Sequence, residues 1–211
     1  MSPIANSTRR RLSVAMKEGS AAEHVAAEQS AFISELLAGR VTAGGYSEYL
    51  LRLRVVYAAL EDAIGARCND PMVAAVYDPA LERLGAIDAD LEHWRPGVTH
   101  EVDSPAAMAY GERIANLTWG GSLVAHHYTR YLGDLSGGRI IGKALDRKFG
   151  LRGAGLAFYE FPVRAKPYKD SYRVRLDALG LKVNDVDRII DEVNVAFALN
   201  RALLDELADH I

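Results

Sequence analysis

The sequence predicts an all-α, single-domain fold. Apolar residues recur at three- and four-residue spacing through most of the chain. Residues that start and stop helices fall between these runs. No alternating apolar–polar run of useful length marks a strand.

Taken in order, a first helix covers about Ser7 to Glu18. A second runs from near Ser20 to Ala38 and stops at Gly39, a residue suited to the left-handed turn past a helix end. TAGGYSEYLLRLRVVYAALEDAIGAR, residues 42–67, gives a third. Asp78-Pro79 and Ser104-Pro105 each pair a side-chain acceptor with a proline, as at the cap and first position of a helix. They open helices reaching about Trp94 and Leu117. A glycine-containing helix follows from about Ser122 to Phe149. LRGAGLAFYEFP, residues 151–162, is a linker. Lys166 to Leu179 is helical again, and Asn184 caps a last helix that runs to the C-terminus.

The chain has 211 residues and a net charge of −3, with 49% hydrophobic and 25% charged residues. That is an ordinary globular balance with no excess of basic groups, which argues against a nucleic-acid partner. The basic run Arg9-Arg10-Arg11 is too short to alter this. Cys68 is the one cysteine, so no internal disulfide can form. There is no apolar leader and no stretch near the roughly 20 apolar residues of a membrane span. The reading is a cytoplasmic protein without a membrane anchor.

Three stretches call for chemistry. In YTRYLGDLSGG, residues 128–138, Gly133, Gly137 and Gly138 interrupt a helix, each costing about 1 kcal/mol against alanine. At about 100° per residue Gly133 and Gly137 lie about 40° apart, with Arg130 and Asp134 beside them and Tyr128, Leu132 and Leu135 behind. Close helix packing or a kink explains such a bare stripe, and so does a flat ligand lying on the backbone. The two charges favour the ligand, because a packed seam would have to find them partners.

The second stretch holds His24 among small residues, with Glu28 one turn on. A neutral imidazole there can ligate iron while a carboxylate near its other nitrogen sets the tautomer. A surface histidine with a helical neighbour has the same pattern. Lys17 shares that face if the helix continues through Gly19. Other metal and phosphate chemistries lack their residues. His126 and His127 are adjacent and diverge by about 100°, and no HExxH, ExxH, Cys-His zinc set or phosphate loop occurs. The third stretch, AKPYKDSYRVRL, aligns Lys166, Lys169 and Arg173 on one helix face, a ladder suited to carboxylates or phosphates or simply a solvated face.

Four segments carry a resemblance to a known family: AEHVAAEQSAFISELLAG, YTRYLGDLSGG, YKDSYR and AFALNRALLDEL. The chain closely resembles heme oxygenase, especially its soluble bacterial members, from about Lys17 to Leu207. The resemblance implies heme b sandwiched between a proximal helix and a kinked, glycine-rich distal helix. It implies that His24 is the iron ligand and that backbone at Gly133 and Gly137 approaches the macrocycle. Asp134 then organises water near bound O2, and Arg130 and Tyr57 belong to the same polar network. Lys17, Tyr128, Lys169 and Arg173 match the groups that hold the heme propionates, and Asn200 matches a distal hydrogen-bonding position. The implied activity uses O2 and electrons to cleave heme at a meso carbon, the alpha edge by family expectation, giving biliverdin, carbon monoxide and ferrous iron. Without a C-terminal anchor, the implied electron donor is a soluble one such as ferredoxin or its reductase. The alternative is a heme carrier or sensor without turnover, which would need His24 and the basic groups but no distal proton network.

Overall fold

A buried helix, α4 (Ala43–Gly65), forms the axis of the larger of two apolar clusters. Tyr46, Leu50, Leu53, Tyr57 and Leu60 are all fully buried along it at four- and three-residue spacing. Burial of each such side chain stabilises the fold by about 1.5–3 kcal/mol. Thr42 starts α4 by accepting from the Gly45 amide at 3.0 Å. Helices α6 (Leu84–Trp94) and α7 (Pro105–Ala115) pack along it. The computed structural model describes residues 10–210, and all regular elements among them are helical or single turns of helix. Ser7 and Arg9 lie outside the described residues.

The second axis is α11 (Val183–Glu206), which buries Ile189, Val193 and Ala196. It packs against α1 (Leu12–Gly19), α2 (Ala21–Glu28), α7 and α8 (Gly120–His127). Leu12 and Met16, with Tyr172 and Leu176 of α10 (Ala165–Ala178), complete a second apolar cluster there. Gly19 is required at this contact: a Cβ on it would stand 2.5 Å from Cγ2 of Ile190. Glu192 pins α11 to α8 and α7. Its Oε1 lies 2.9 Å from Nε2 of buried His126, and its carboxylate takes both Nε and Nη2 of Arg113, at 2.9 and 2.5 Å.

Several expected boundaries are corrected. The run from Ser20 to Ala38 is two helices, α2 and α3 (Ala31–Leu37), because Ser30 turns its hydroxyl to the Ile33 amide and begins a new helix. Gly39 does take the left-handed conformation, with φ +71°. The first helix does not run on into the His24 helix. Ser20 has φ −114° and ψ 10°, and its hydroxyl bonds back to the Met16 carbonyl at 2.8 Å. Lys17 and His24 therefore belong to different helices, and their seven-residue spacing does not place them on one face. Pro79 opens only a single 3₁₀ turn, with α6 following from Leu84. Asn184 lies inside α11, whose first residue is preceded by Lys182. Asp70 caps a short α5 (Pro71–Ala74) in the expected interhelical loop.

Candidate functional site

The glycine helix begins at Gly120 and reaches Phe149, but it is not uniformly α. After α8 come two π turns, Tyr128–Leu132 and Asp134–Gly138, before α9 (Arg139–Phe149). Two side chains in these turns bond back to the helix backbone. Thr129 and Ser136 return their hydroxyls to the carbonyls four residues back, Ala125 at 3.0 Å and Leu132 at 2.6 Å. Such back-bonding bends helices, and π turns of this kind collect at functional sites. Gly133 is exposed and Gly137 half-buried. A Cβ built on either would meet no atom within 4 Å outside the helix itself.

Beside this bare face the fold assembles four of the expected polar residues. Tyr57, from α4, donates to Asp134 Oδ2. Arg130 Nη2 lies 3.4 Å from Asp134 Oδ1, and its Nε 3.4 Å from the Tyr57 hydroxyl. Arg130 Nη1 donates to the side-chain oxygen of Asn200 on α11. The Arg130 and Asp134 side chains are only 7% and 12% exposed. Burial pushes the Asp134 carboxyl above its ordinary range, while Arg130 and the Tyr57 hydroxyl pull it back. Burial also keeps Tyr57 protonated, so it acts as a donor. The result is a buried carboxyl fixed in direction by two donors.

His24 sits on α2 with half its side chain exposed and its Nδ1 3.6 Å from Glu28 Oε2. Phe197 of α11 meets the imidazole edge-on at 5.9 Å between centroids. Glu28 thus occupies the Nδ1 side, so Nε2 is the nitrogen that could ligate a metal. Phe197 and Asn200 are one turn apart on α11, so the same helix supports the His24 wall and the Arg130 wall. Phe197 was not singled out in the sequence. Its signal, an aromatic three residues before Asn200, reads equally well as core.

The basic groups are divided. Lys169 reaches the glycine helix, its Nζ 2.9 Å from Ser136 Oγ. Arg173 is half exposed, pairs with Asp170 at 2.9 Å, and its charge acts on the partly buried Tyr128. Lys17 and Lys166 are exposed. Lys17 lies at the end of α1, which Ser13 ties to Asp177 of α10 at 2.8 and 2.9 Å. The fold presents a half-exposed imidazole, a side-chain-free strip of helix, a buried carboxyl held by two donors, and exposed cations. That combination fits a flat iron macrocycle carrying carboxylates. Among the described residues no group of three or more His, Cys, Asp or Glu could hold a bare metal ion, and no described helix is long and apolar enough to cross a membrane.

Comparison with known proteins agrees with this chemistry. The family model described as heme oxygenase matches residues 10–206. Heme oxygenase 1 of Pongo abelii is 38% identical over 207 residues, covering 94% of this chain and 72% of that protein. The heme oxygenase structure from Leptospira interrogans superposes with a TM-score of 0.89 at 34% identity, covering 93% of this chain and all of that one. Heme oxygenase-1 from the cyanobacterium Synechocystis, solved in complex with heme, gives 0.88 at 35% identity, covering 94% and 92%.

Proposed function

The chain belongs to the heme oxygenase family and cleaves heme, and from that premise we propose how its own residues divide the work. His24 Nε2 would hold the iron, with Glu28 orienting the ring through Nδ1. Bound heme supplies the iron at which O2 is reduced and is itself the molecule cleaved, at the alpha meso edge, to biliverdin, carbon monoxide and ferrous iron. The protein's part is to orient the macrocycle and to move protons.

Backbone at Gly133 and Gly137 would come close to the macrocycle, an approach that a larger side chain at either position would block. Asp134 holds a water on that side and passes protons through it, acting as a tethered general acid and base. Tyr57 and Arg130 fix the carboxyl, and Asn200 fixes Arg130. Lys17, Tyr128, Lys169 and Arg173 receive the propionates and so set the in-plane rotation that selects the edge presented to O2. Electrons come from a soluble donor such as ferredoxin or its reductase, in the cytoplasm, guided by the exposed cations.

The single observation that carries this reading is the Tyr57–Arg130–Asp134–Asn200 group beside the bare glycine face. A carrier or sensor has no use for a buried proton-exchanging carboxyl there. The test is a hemin titration of the purified protein, followed by ascorbate or a ferredoxin system in air, with carbon monoxide trapped. A histidine-ligated Soret band that bleaches as carbon monoxide and a bilin appear is the expected result. A stable Soret band without carbon monoxide would make the chain a carrier or sensor.

A further inference from the structure

The distal helix carries two further glycines whose surroundings are the reverse of the first pair. A Cβ on Gly138 would stand 3.0 Å from Cδ1 of Tyr159, and one on Gly142 3.2 Å from Cδ2. The Tyr159 ring therefore lies directly against bare backbone, with one edge on each glycine. It is 7% exposed, and its buried hydroxyl meets that of Tyr46 on α4. Against the two glycines it is the ring that fills the space.

The segment carrying Tyr159 is a single 3₁₀ turn, Ala157–Tyr159, in the linker before α10. A short turn in a linker would ordinarily be mobile. This one is clamped by two buried charges on and beside α6. Asp90, 1% exposed, accepts from the Ala157 and Phe158 amides at 2.7 and 2.8 Å, one on each carboxylate oxygen. Arg83, 6% exposed, donates from Nη1 to the Glu160 carbonyl at 2.8 Å and from Nε to the Leu81 carbonyl at 2.9 Å. Its guanidinium lies 4.0 Å over the Phe161 ring. Phe158 meets the Tyr57 ring edge-on at 5.6 Å, so the clamped turn also touches the residue that orients Asp134.

We propose that Tyr159, held rigid by Arg83 and Asp90, is a positioning residue that sets how deeply the distal helix sits over the heme face. A helix with two π turns and four glycines between Gly133 and Gly142 is the softest part of the site, since each glycine adds conformational freedom and each π turn weakens the regular ladder. Its exposed face has no protein support at Gly133 and Gly137. The Tyr159 ring supplies support from behind. The proposal rests on the reading of the Gly133–Gly137 face as the heme face.

The test uses the whole chain and two readouts. In the heme-free protein, Tyr159→Leu is expected to speed amide hydrogen exchange across residues 133–142 by about tenfold or more while α4 stays protected. Loaded with hemin, the same variant is expected to release it to apomyoglobin about tenfold faster, because a distal helix without its stop no longer holds a fixed depth. Tyr159→Phe keeps the ring and is expected to match the parent in both. Should Tyr159→Leu fail to fold, Gly142→Ala pushes on the same ring from the other side and is expected to speed exchange at residues 133–138. Parent-like exchange in Tyr159→Leu or Gly142→Ala would overturn the brace. Equal damage from Tyr159→Phe would overturn the role of ring packing. Faster exchange with unchanged hemin release would overturn the control of pocket depth. Failure of the parent to bind hemin would instead sink the heme reading, leaving exchange to judge the brace alone.

Discussion

Replacing Glu192 with glutamine tests whether the helix that supports both walls of the site is pinned by charge. Glu192 is nearly buried, and burial alone would raise its pKa. The hydrogen bonds from His126 and Arg113 overcome this and bring it from 4.5 to about 2. Glutamine has the shape of the protonated acid, so the stability gap between parent and variant at neutral pH measures this shift. At about 1.4 kcal/mol per pKa unit the gap is about 3 kcal/mol. That is the upper end, because water screens half-exposed Arg113. For a chain of this size it lowers Tm by about 6–12 °C.

The sign of the pH dependence follows. The folded state holds Glu192 ionised below the pH at which the unfolded chain protonates it. The added stability is therefore complete above about 4.5 and is lost as pH falls through about 2. Parent and variant should differ most at neutral pH and converge in acid. Another group also loses stability there: burial and the nearby Arg175 charge hold His127 down at about 3, and its protonation on acidification opposes folding. It is common to both proteins and cancels in the difference. Urea unfolding followed by circular dichroism at a series of pH values gives the two curves. A gap that stays constant from neutral to strongly acidic pH would refute the electrostatic origin. A gap below about 1 kcal/mol would reduce the contact to an ordinary hydrogen bond.

The catalytic readings have their own tests. Asp134→Ala should bind hemin within about threefold of the parent yet form biliverdin at least about tenfold more slowly, the modest end of general acid–base contributions; an unchanged rate removes Asp134 from the proton path. Gly133→Leu should abolish the Soret band in a hemin titration, since its side chain enters the face meant for the macrocycle, and normal affinity would reject the bare-face argument. His24→Ala should lose the histidine-ligated spectrum and regain it with added imidazole, which binds iron through the same nitrogen chemistry. A parent-like spectrum in His24→Ala would assign the ligand elsewhere.

What the sequence could reveal follows from which interactions are local. The long helices α4 and α11 were legible because their apolar residues repeat over many turns. The break at Ser30 was not, because a serine serves equally within a helix and at its start, and only its bond to the Ile33 amide decides. Asn184 misled for the same reason. Arg130 and Asp134 stood out beside the glycines on the helical wheel, but Tyr57 and Asn200 come from two other segments, and no spacing relates them to that pair. The resemblance named them, and their hydrogen bonds now give each a physical task. Phe197 and Glu192 escaped because an aromatic or a carboxylate on a long helix gives no sign of its partner.

The distal glycines show the limit most sharply. By residue type Gly133, Gly137 and Gly138 look alike, three missing side chains in one stretch. The two π turns change the phase of the ideal helical wheel, and a hydroxyl in each returns to the carbonyl four residues back. Added Cβ atoms then separate the roles. Gly133 and Gly137 face open space, whereas Gly138 and Gly142 are kept bare by one tyrosine ring. Close packing and close approach of a ligand were rival explanations for the same glycines. In the fold packing accounts for Gly138 and Gly142, while Gly133 and Gly137 are left without a neighbour, which is the space the ligand reading requires.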